Sequence, residues 1–406
     1  MSSQSFIPFL TLHDKIHHRS GHITVVFKEH MLVWGGYMEN PDEIYRSQVK
    51  CDYHNTNELW AYDSHTEIWS LIITKGDPPP RNSGACGVVF DDFLYVFGGY
   101  HGVSDGLVEE GNSNQLHRLD LTTMTWKQLF PGGVSPTPCD KLVGWEYNGK
   151  LYFFGGFGPA PDIWSSGTFD FVPERMNMLE NHPSRGWNNQ LVSLDVRCCR
   201  ELHSKGQEKE LLWEWPKTSG ATPCPRAAHA ADLSGFRLYL FGGRFKSNRM
   251  NDLHCLDLKT MHWSGDLTEP HRTNPEGRSW HSFTFVKEGK AILYGGFNQH
   301  NVILKDCWIL EVPSMNWVKL CEGRPRLWHR ALFLKTGDLI IMGGHEHSIT
   351  DPGKDHAEEL FVLNFSPKSL LRLCVDKVLK HQEQLSHNWN CLPKTLQTVL
   401  RLRVEQ

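Results

Sequence analysis

Short apolar runs that end in a pair of glycines recur along the chain. The six pairs are Gly35-Gly36, Gly98-Gly99, Gly155-Gly156, Gly242-Gly243, Gly295-Gly296 and Gly343-Gly344. A strand that is buried on both faces reads as a continuous apolar run, and glycine tolerates the crowded turn at its end. Successive pairs lie 48 to 87 residues apart, which suits the blades of a β-propeller. The pattern therefore predicts six repeated β-units.

A hairpin that ends in tryptophan follows four of the glycine pairs. An acidic residue stands six positions before the tryptophan in Asp63 and Trp69, Asp120 and Trp126, Asp257 and Trp263, and Glu311 and Trp317. A constant offset predicts two strands joined by a fixed turn. We expect an all-β, six-bladed propeller over residues 1–365. Because the last blade lacks such a hairpin, we expect Phe6 to Leu12 to supply its outer strand and close the ring.

Charge and cysteine content narrow the function classes. Lys and Arg total 42 against 46 acidic residues, so the net charge of −4 offers no overall attraction to phosphate backbones or anionic lipids. No stretch approaches 18 consecutive apolar residues, and no basic start precedes an apolar run, so we expect a soluble intracellular protein. The 11 cysteines form no CxxC pair, and we expect reduced, mostly buried thiols.

The third repeat departs from the pattern in two places. An insertion between Gly156 and Leu191 carries the aromatic residues Trp164, Phe169, Phe171 and Trp187. Such a loop is either the wall of a binding cavity or a loop that packs on its own aromatics. The second departure, RCCRELHSKGQEKE, lengthens the hairpin between Asp195 and Trp213, and its charge indicates a solvated outer loop.

An RxxH motif opens four blades. The motifs run from Arg19 to His22, Arg226 to His229, Arg278 to His281 and Arg326 to His329. Recurrence favours a structural role, in which the arginine and histidine satisfy loop carbonyls or pair with an acid. The two middle residues differ between blades, and Trp280 and Trp328 place large groups in these loops.

Two arginines flank a short loop after the fourth glycine pair. Arg244 follows Gly243 directly, and Arg249 lies five residues later. Guanidinium groups that converge near the channel mouth would make an anion site, where each charge-assisted hydrogen bond to a carboxylate contributes roughly 1.5–3 kcal/mol. The alternative is an ion pair with Asp252 or another loop acid.

Catalytic and metal motifs are weak in this sequence. GRSWH, from Gly277 to His281, lacks the second glycine and the helix of a nucleophile elbow. His345, Glu346 and His347, with His356 beyond, could contact a metal, but loop histidines are more often solvated. We therefore expect no enzyme activity, no metal site and no cofactor.

The last segment, residues 366–406, changes to a helical pattern. Ser366 is placed to cap the first helix. The residues of interest in that helix are Ser369, Leu370, Cys374 and Val378, and those of the next helix are Leu392, Pro393, Leu396 and Leu400. As ordinary structure, both helices would pack against the propeller flank.

The glycine-pair repeat resembles the kelch repeat, and the tail resembles two adaptor motifs. Ser369, Leu370, Cys374 and Val378 match the elongin C-binding box, and Leu392, Pro393, Leu396 and Leu400 are similar to the cullin 2 box. GGRxxxxRMNDLH, GRSWHS, PRLWH, RGWN and WNCLPK extend the similarity. The chain thus resembles the kelch-propeller substrate receptors of cullin-RING ubiquitin ligases, a family that captures protein C-termini ending in glycine.

The resemblance implies a non-catalytic receptor of the nucleus and cytoplasm. Its partners would be elongin C and elongin B, cullin 2 or cullin 5 with a RING protein, and substrates ending in Gly or Gly-Gly. By matching position, Arg244, Arg249 and Ser279 would hold the terminal carboxylate. The pocket wall would comprise Trp187, Trp280, Tyr37, Lys141, Trp328 and Phe157, the last standing where the family has tyrosine. The alternatives are a kelch scaffold that binds internal segments of a partner and an oxidase-type kelch enzyme.

Overall fold

The six apolar runs form equivalent strands of a six-bladed β-propeller in the computed structural model. The structure describes residues 11–12, 15–45, 48–102, 111–159, 176–179, 182–197, 210–347 and 356–405. Neighbouring strands within each blade pair antiparallel from the innermost outward, as Cys86–Phe90 does with Phe93–Phe97. The predicted fold class is confirmed.

Each blade runs from an innermost strand at the central channel to an outer strand at the rim. The innermost strands are Ile23–Phe27, Cys86–Phe90, Val143–Tyr147, Ala230–Ser234, Ser282–Lys287 and Arg330–Phe333. The second strands are His30–Trp34, Phe93–Phe97, Lys150–Pro159, Arg237–Phe245, Lys290–Asn298 and Asp338–Met342. The third strands are Glu58–Asp63, Leu116–Asp120, His182–Asp195, Asn248–Asp257, Ile303–Glu311 and Phe361–Asn364. The outermost strands, described for blades one to five, are Ile68–Ile73, Thr125–Leu129, Trp213–Glu214, His262–Asp266 and Asn316–Glu322.

Shorter strands extend or cap these blades. They are Thr11–Leu12, Lys75–Gly76, Tyr100–His101, Gly111–Asn112, Met176–Leu179, Ser219–Ala221 and Arg278–Ser279, together with the hairpin Tyr37–Tyr45 and Gln48–Tyr53. Lys75–Gly76 and Ser219–Ala221 each add a parallel strand from one blade to the outer edge of the next. These exchanged strands tie successive blades together.

The predicted hairpin turn is confirmed. The residue two positions before each tryptophan adopts a left-handed backbone, at Glu67, Met124, Met261 and Met315. The acidic residue at the start of the turn caps it where it is aspartate, since an Asp63 side-chain oxygen accepts from the backbone N–H of His65 at 2.8 Å. Aspartate and a left-handed position therefore fix the spacing that the sequence repeats.

Clusters of buried side chains fill the gaps between neighbouring blades. One cluster joins blade one, through Trp34 and Leu59, to blade two, through Leu94 and Trp126. The gap between blades six and one is filled in the same way, for example by Trp60 and Ile340. Burying apolar area at each gap contributes roughly 25 cal/mol per Å². The core is thus distributed around the ring.

The ring closes differently from the prediction. Thr11–Leu12 pairs with Ile72 and Leu71 at the outer edge of blade one, and not with the last blade, so that prediction is wrong for these two residues. Residues 6–10 lie outside the described part. Blade six has three strands within the described ranges, and it meets blade one through packed side chains and a hydrogen bond from Arg330 Nε to the carbonyl of His22 at 3.0 Å.

The tail forms three helices, α1 (Leu370–Lys380), α2 (Gln382–Leu385) and α3 (Lys394–Glu405), with a 3₁₀ turn at Ser386–Cys391. Another 3₁₀ turn, Val312–Ser314, lies in blade five. Ser369, and not Ser366, caps α1, because its hydroxyl accepts from the N–H of Arg372 at 3.3 Å. In the described residues, the structure contains no helix with the length and apolar character to cross a membrane.

The nine described cysteines are free thiols. Cys86, Cys139, Cys255 and Cys307 are buried, and Cys321, Cys374 and Cys391 are exposed. Residues 198–209, which include Cys198 and Cys199 and most of the charged loop, lie outside the described residues, as do the inserted Trp164, Phe169 and Phe171.

Candidate functional site

A closed ring of backbone hydrogen bonds surrounds the channel at the face where the RxxH loops meet. Its members, one from each blade, are Gly21, Gly84, Lys141, Ala228, Trp280 and Trp328. Each N–H donates to the carbonyl of the previous member at 2.8–3.3 Å, and each residue has a left-handed backbone. Bulky residues rarely adopt this conformation, so Trp280 and Trp328 are held there by the surrounding structure.

Four members of this ring belong to the RxxH motifs, and the structural interpretation of the motifs is confirmed for the arginines. The imidazole nitrogens of His22 and His229 have no hydrogen-bond partner among the described residues. Arg226 donates to the carbonyl of Gly242 at 2.9 Å and forms a two-pronged ion pair with Asp252. Arg278 likewise donates to the carbonyl of Gly295 and forms a two-pronged ion pair with Asp306. These arginines are fully buried, and the acids that pair with them hold the loops in register.

The glycine pairs are required by close approach between neighbouring elements. Gly36 has a φ of +87°, and a Cβ there would lie 2.7 Å from the carbonyl oxygen of Ser20. A side chain at this position would therefore push the second strand away from the RxxH loop.

Arg244 and Arg249 converge on the predicted anion site. The two residues are direct cross-strand partners, and Arg249 Nε donates to the Ser279 hydroxyl at 3.1 Å. Burial and the nearby charge of Arg244 lower the pKa of Arg249 to about 10. Within the described residues neither guanidinium has a carboxylate within 4.0 Å, since Asp252 pairs with Arg226 and His254. The predicted alternative, an ion pair with Asp252, is wrong.

A cavity of about 170 Å³ lies beside these groups. It is lined by Lys141, Phe157, Trp187, Ala227, Ala228, Arg244, Ser279 and Trp280. The Arg244 guanidinium lies 5.9 Å from the Trp187 ring, and the rings of Phe157 and Phe245 lie 5.2 and 6.0 Å from Trp187 between ring centres. We call this space the arginine cavity.

A second cavity, of about 270 Å³, is lined by the remaining residues of the predicted pocket wall, Tyr37 and Trp328. It is lined by Tyr37, Cys51, Tyr53, Ser83, Tyr100, Asp140, Lys141, Phe157, Arg185 and Trp328. Tyr37 and Trp328 therefore do not line the arginine cavity, and the single predicted pocket is two adjacent spaces that share Lys141 and Phe157. We call the second space the tyrosine cavity.

Several lining residues were missed in the sequence. Arg185 and Tyr100 line the tyrosine cavity, with the guanidinium 5.1 Å from the tyrosine ring. Phe297 lines neither cavity, but its ring lies 4.5 Å from the guanidinium of Arg249. Tyr100 and Phe297 each follow a glycine pair directly, as do Tyr37, Phe157, Arg244 and His345. That shared position was the signal that would have found them.

The residues of the histidine motif in blade six, His345, Glu346 and His347, have separate surroundings in the structure. Glu346 pairs with Arg326, and His347 is exposed. His345 and His356 instead lie together with Glu39, which the sequence pattern did not indicate.

The tail presents most of its predicted adaptor residues at the surface. Leu370 is 80% exposed, Ser369 and Cys374 are exposed, and Val378 is half-buried. Arg372 and Val375 on the other side of α1 are buried against the propeller.

The second predicted box is less accessible. Pro393 is exposed, and Leu392 and Leu396 are half-buried. Leu400 is buried, so in this conformation it is not presented to a partner.

Comparisons with known proteins match this architecture. A family model described as the KLHDC2/KLHL20/DRC7 Kelch-repeats domain matches residues 21–184 and 180–344. The human kelch domain-containing protein 2 is 38% identical over 389 residues, covering 93% of this chain and 88% of its own length. The mouse kelch domain-containing protein 1 is 34% identical over 393 residues, covering 94% and 89%.

The chain belongs to the kelch domain-containing protein 1 and 2 family. The resemblance noted in the sequence is thereby confirmed at the level of the family. Among solved structures, YjhT superposes with a TM-score of 0.57 at 16% identity, covering 89% of this chain and 97% of its own, and that likeness concerns the fold alone.

Proposed function

We propose that this kelch family member is a substrate receptor of a cullin-RING ubiquitin ligase that binds protein C-termini ending in glycine. Arg244 and Arg249 would hold the terminal carboxylate, and the helical tail would bind elongin C. Elongin B and cullin 2, or cullin 5, with a RING protein would complete the ligase. The receptor itself would perform no catalytic step, and we expect it in the nucleus and cytoplasm.

The observation that carries the proposal is a pair of adjacent arginines without an acidic partner among the described residues. Arg244 lines the arginine cavity, and Arg249 does not line it but donates to Ser279, which does. Burial first, and the charge of Arg244 second, lower the pKa of Arg249 to about 10, so the charged form of this side chain is disfavoured where it stands. An anion placed between the two arginines would relieve the repulsion. A carboxylate fits because Ser279 offers a hydroxyl beside the guanidinium groups, at 3.1 Å from Arg249 Nε.

The walls of the arginine cavity favour a small residue beside that carboxylate. Trp187, Trp280 and Phe157 are the aromatic residues that line the cavity. Rigid aromatic walls exclude a side chain by steric overlap while leaving room for the hydrogen of glycine. The tyrosine cavity next to it would receive the preceding residues of the peptide, with Lys141 and Phe157 at the junction.

The exposed face of α1 supports the adaptor part of the proposal. Leu370 and Leu371 are exposed although the opposite face of the same helix is anchored to the propeller. Because Leu370 is 80% exposed, it buries little apolar surface in the fold. Full burial of this side chain by a partner would stabilise the complex by roughly 1.5–3 kcal/mol.

A charge reversal at the carboxylate site tests the proposal. Arg249→Glu should abolish binding of a peptide ending in Gly-Gly, measured by fluorescence polarisation, while co-purification with elongin C stays intact. Arg237→Glu is the matched control, because Arg237 is exposed on the same blade outside either cavity. Equal peptide binding by Arg249→Glu and the wild type would refute the carboxylate site.

The adaptor part needs its own variant. Leu370→Arg combined with Cys374→Arg should abolish elongin C binding and leave both the melting temperature and peptide binding unchanged. If the double variant instead loses stability and keeps elongin C, the tail is ordinary packed structure, as expected for a scaffold that binds internal segments.

A further inference from the structure

Three metal-ligating side chains meet at the seam between blades one and six. Glu39 comes from the hairpin arm Tyr37–Tyr45 of blade one, and His345 follows the last glycine pair. His356 pairs with His345 through an isolated β-bridge. One ligand atom from each residue lies within 4.8 Å of the others.

Both histidines of this cluster are buried, and within the described part of the chain His356 lacks the hydrogen bonds that burial normally demands. His356 is 2% exposed, and neither of its ring nitrogens has a partner among the described residues. His345 is also buried, and one ring nitrogen lies 3.0 Å from the hydroxyl of Tyr37. Buried polar groups are nearly always paired, but both ring nitrogens of His22 and His229 are unpaired among the described residues as well. What sets His356 apart is that the ligand atoms of His345 and Glu39 lie within 4.8 Å of its own.

We propose that Glu39, His345 and His356 bind a single zinc ion. Two imidazoles and one carboxylate form a known type of zinc ligand set, and zinc then takes a water or another oxygen as its fourth ligand. In a tetrahedral site with Zn–N bonds of about 2.0–2.1 Å, the ligand atoms are roughly 3.4 Å apart. The ligand atoms of this cluster lie within 4.8 Å of one another, so small side-chain rotations would bring them to that separation.

The position of the cluster indicates what the ion would do. Glu39 belongs to the first blade and the two histidines to the last, so the ion would bridge the seam at which the ring closes. Blade six has no fourth strand among the described residues, and the terminal segment at Thr11–Leu12 joins blade one instead. A zinc ion would therefore supply a cross-link at the seam, and its stabilisation would be independent of the proposed peptide binding.

Zinc titration of the chelator-treated, tag-free full chain tests this assignment. Isothermal titration calorimetry should detect one site, and added zinc should raise the melting temperature. His356→Gln and Glu39→Gln should each lower the zinc affinity at least about 100-fold. Removing only an outer-shell partner of a metal already lowers affinity by up to about 100-fold, so loss of a direct ligand should cost at least as much. His347→Gln is the matched control, because His347 is exposed and lies two residues from His345.

Substitution by cobalt separates this site from exposed thiols such as Cys374 and Cys391. The cobalt complex of the wild type should show d–d bands without a thiolate charge-transfer band. A thiolate band at full occupancy, no zinc-dependent rise in melting temperature, or wild-type zinc affinity in Glu39→Gln would each overturn the proposal. The Glu39 variant decides the matter if His356→Gln does not fold.

Discussion

A buried ion cluster docks the tail on the propeller, and removing its central arginine should release α1. The guanidinium of Arg372 is 4% exposed and donates to Glu67 at 2.6 and 3.0 Å and to Asp338. Glu67 lies in the hairpin turn of blade one, and Asp338 begins the second strand of blade six. One side chain thus ties α1 to both blades.

The structure sets the size of the effect of Arg372→Met. Removing one partner of a buried ion pair usually costs about 3–5 kcal/mol, because the remaining charge stays buried. The cost here should lie at the lower end, about 3 kcal/mol, since Glu67 keeps Arg403 at 2.9 Å and Asp338 keeps the Thr336 hydroxyl at 2.8 Å. That energy corresponds to roughly 100-fold faster hydrogen exchange in α1.

Hydrogen exchange followed by mass spectrometry measures this directly. Amides of α1 should lose protection in Arg372→Met, while those of the innermost strands keep it. Arg401→Met, which changes an exposed arginine of α3, should leave both unchanged. Unaltered protection of α1 would refute the docking role, and loss of protection in both regions would mean that the cluster stabilises the whole propeller.

Two further predictions concern the RxxH histidines and the carboxylate site. Burial lowers the pKa values of His229 and His329 to about 3, so both stay neutral in the fold while their unfolded counterparts protonate below about pH 6.5. The free energy of unfolding should therefore decrease as the pH is lowered below about 6.5, by about 2 kcal/mol per histidine at pH 5. His329→Asn should flatten the dependence of the urea midpoint on pH, and curves that run parallel for the variant and the wild type would contradict this. Ser279→Ala should weaken a Gly-Gly peptide about 10-fold, from the loss of about 1.5 kcal/mol of hydrogen bonding to a charged group, and unchanged affinity would remove Ser279 from the site.

Local patterns predicted the parts of the structure that local geometry determines. The offset from Asp63 to Trp69 reports a turn closed by its own residues, and each glycine pair reports a crowded strand end. The convergence of Arg244 and Arg249 could also be predicted from the sequence, because the two residues lie in one hairpin.

Features that join distant segments could not be predicted in this way. Thr11–Leu12 has an outer edge to pair with only because blade one is assembled. The ring centres of Tyr37 and Trp328 lie 5.4 Å apart because closure of the propeller brings blade one next to blade six. Their place in the tyrosine cavity, separate from Trp187, therefore follows from the closed propeller and not from either local motif. The same is true of Glu39 beside His345.

The terminal carboxylate is the group on which the proposed function depends, and one pair of peptides tests it. A peptide ending in Gly-Gly and the same peptide with a C-terminal amide should be titrated into the full chain under identical salt conditions. The free acid should bind at least 100-fold more tightly, as expected when about 3 kcal/mol of charge-assisted hydrogen bonding is lost. Equal affinity for the two peptides, or no binding of either, would contradict recognition of a free C-terminus by Arg244 and Arg249.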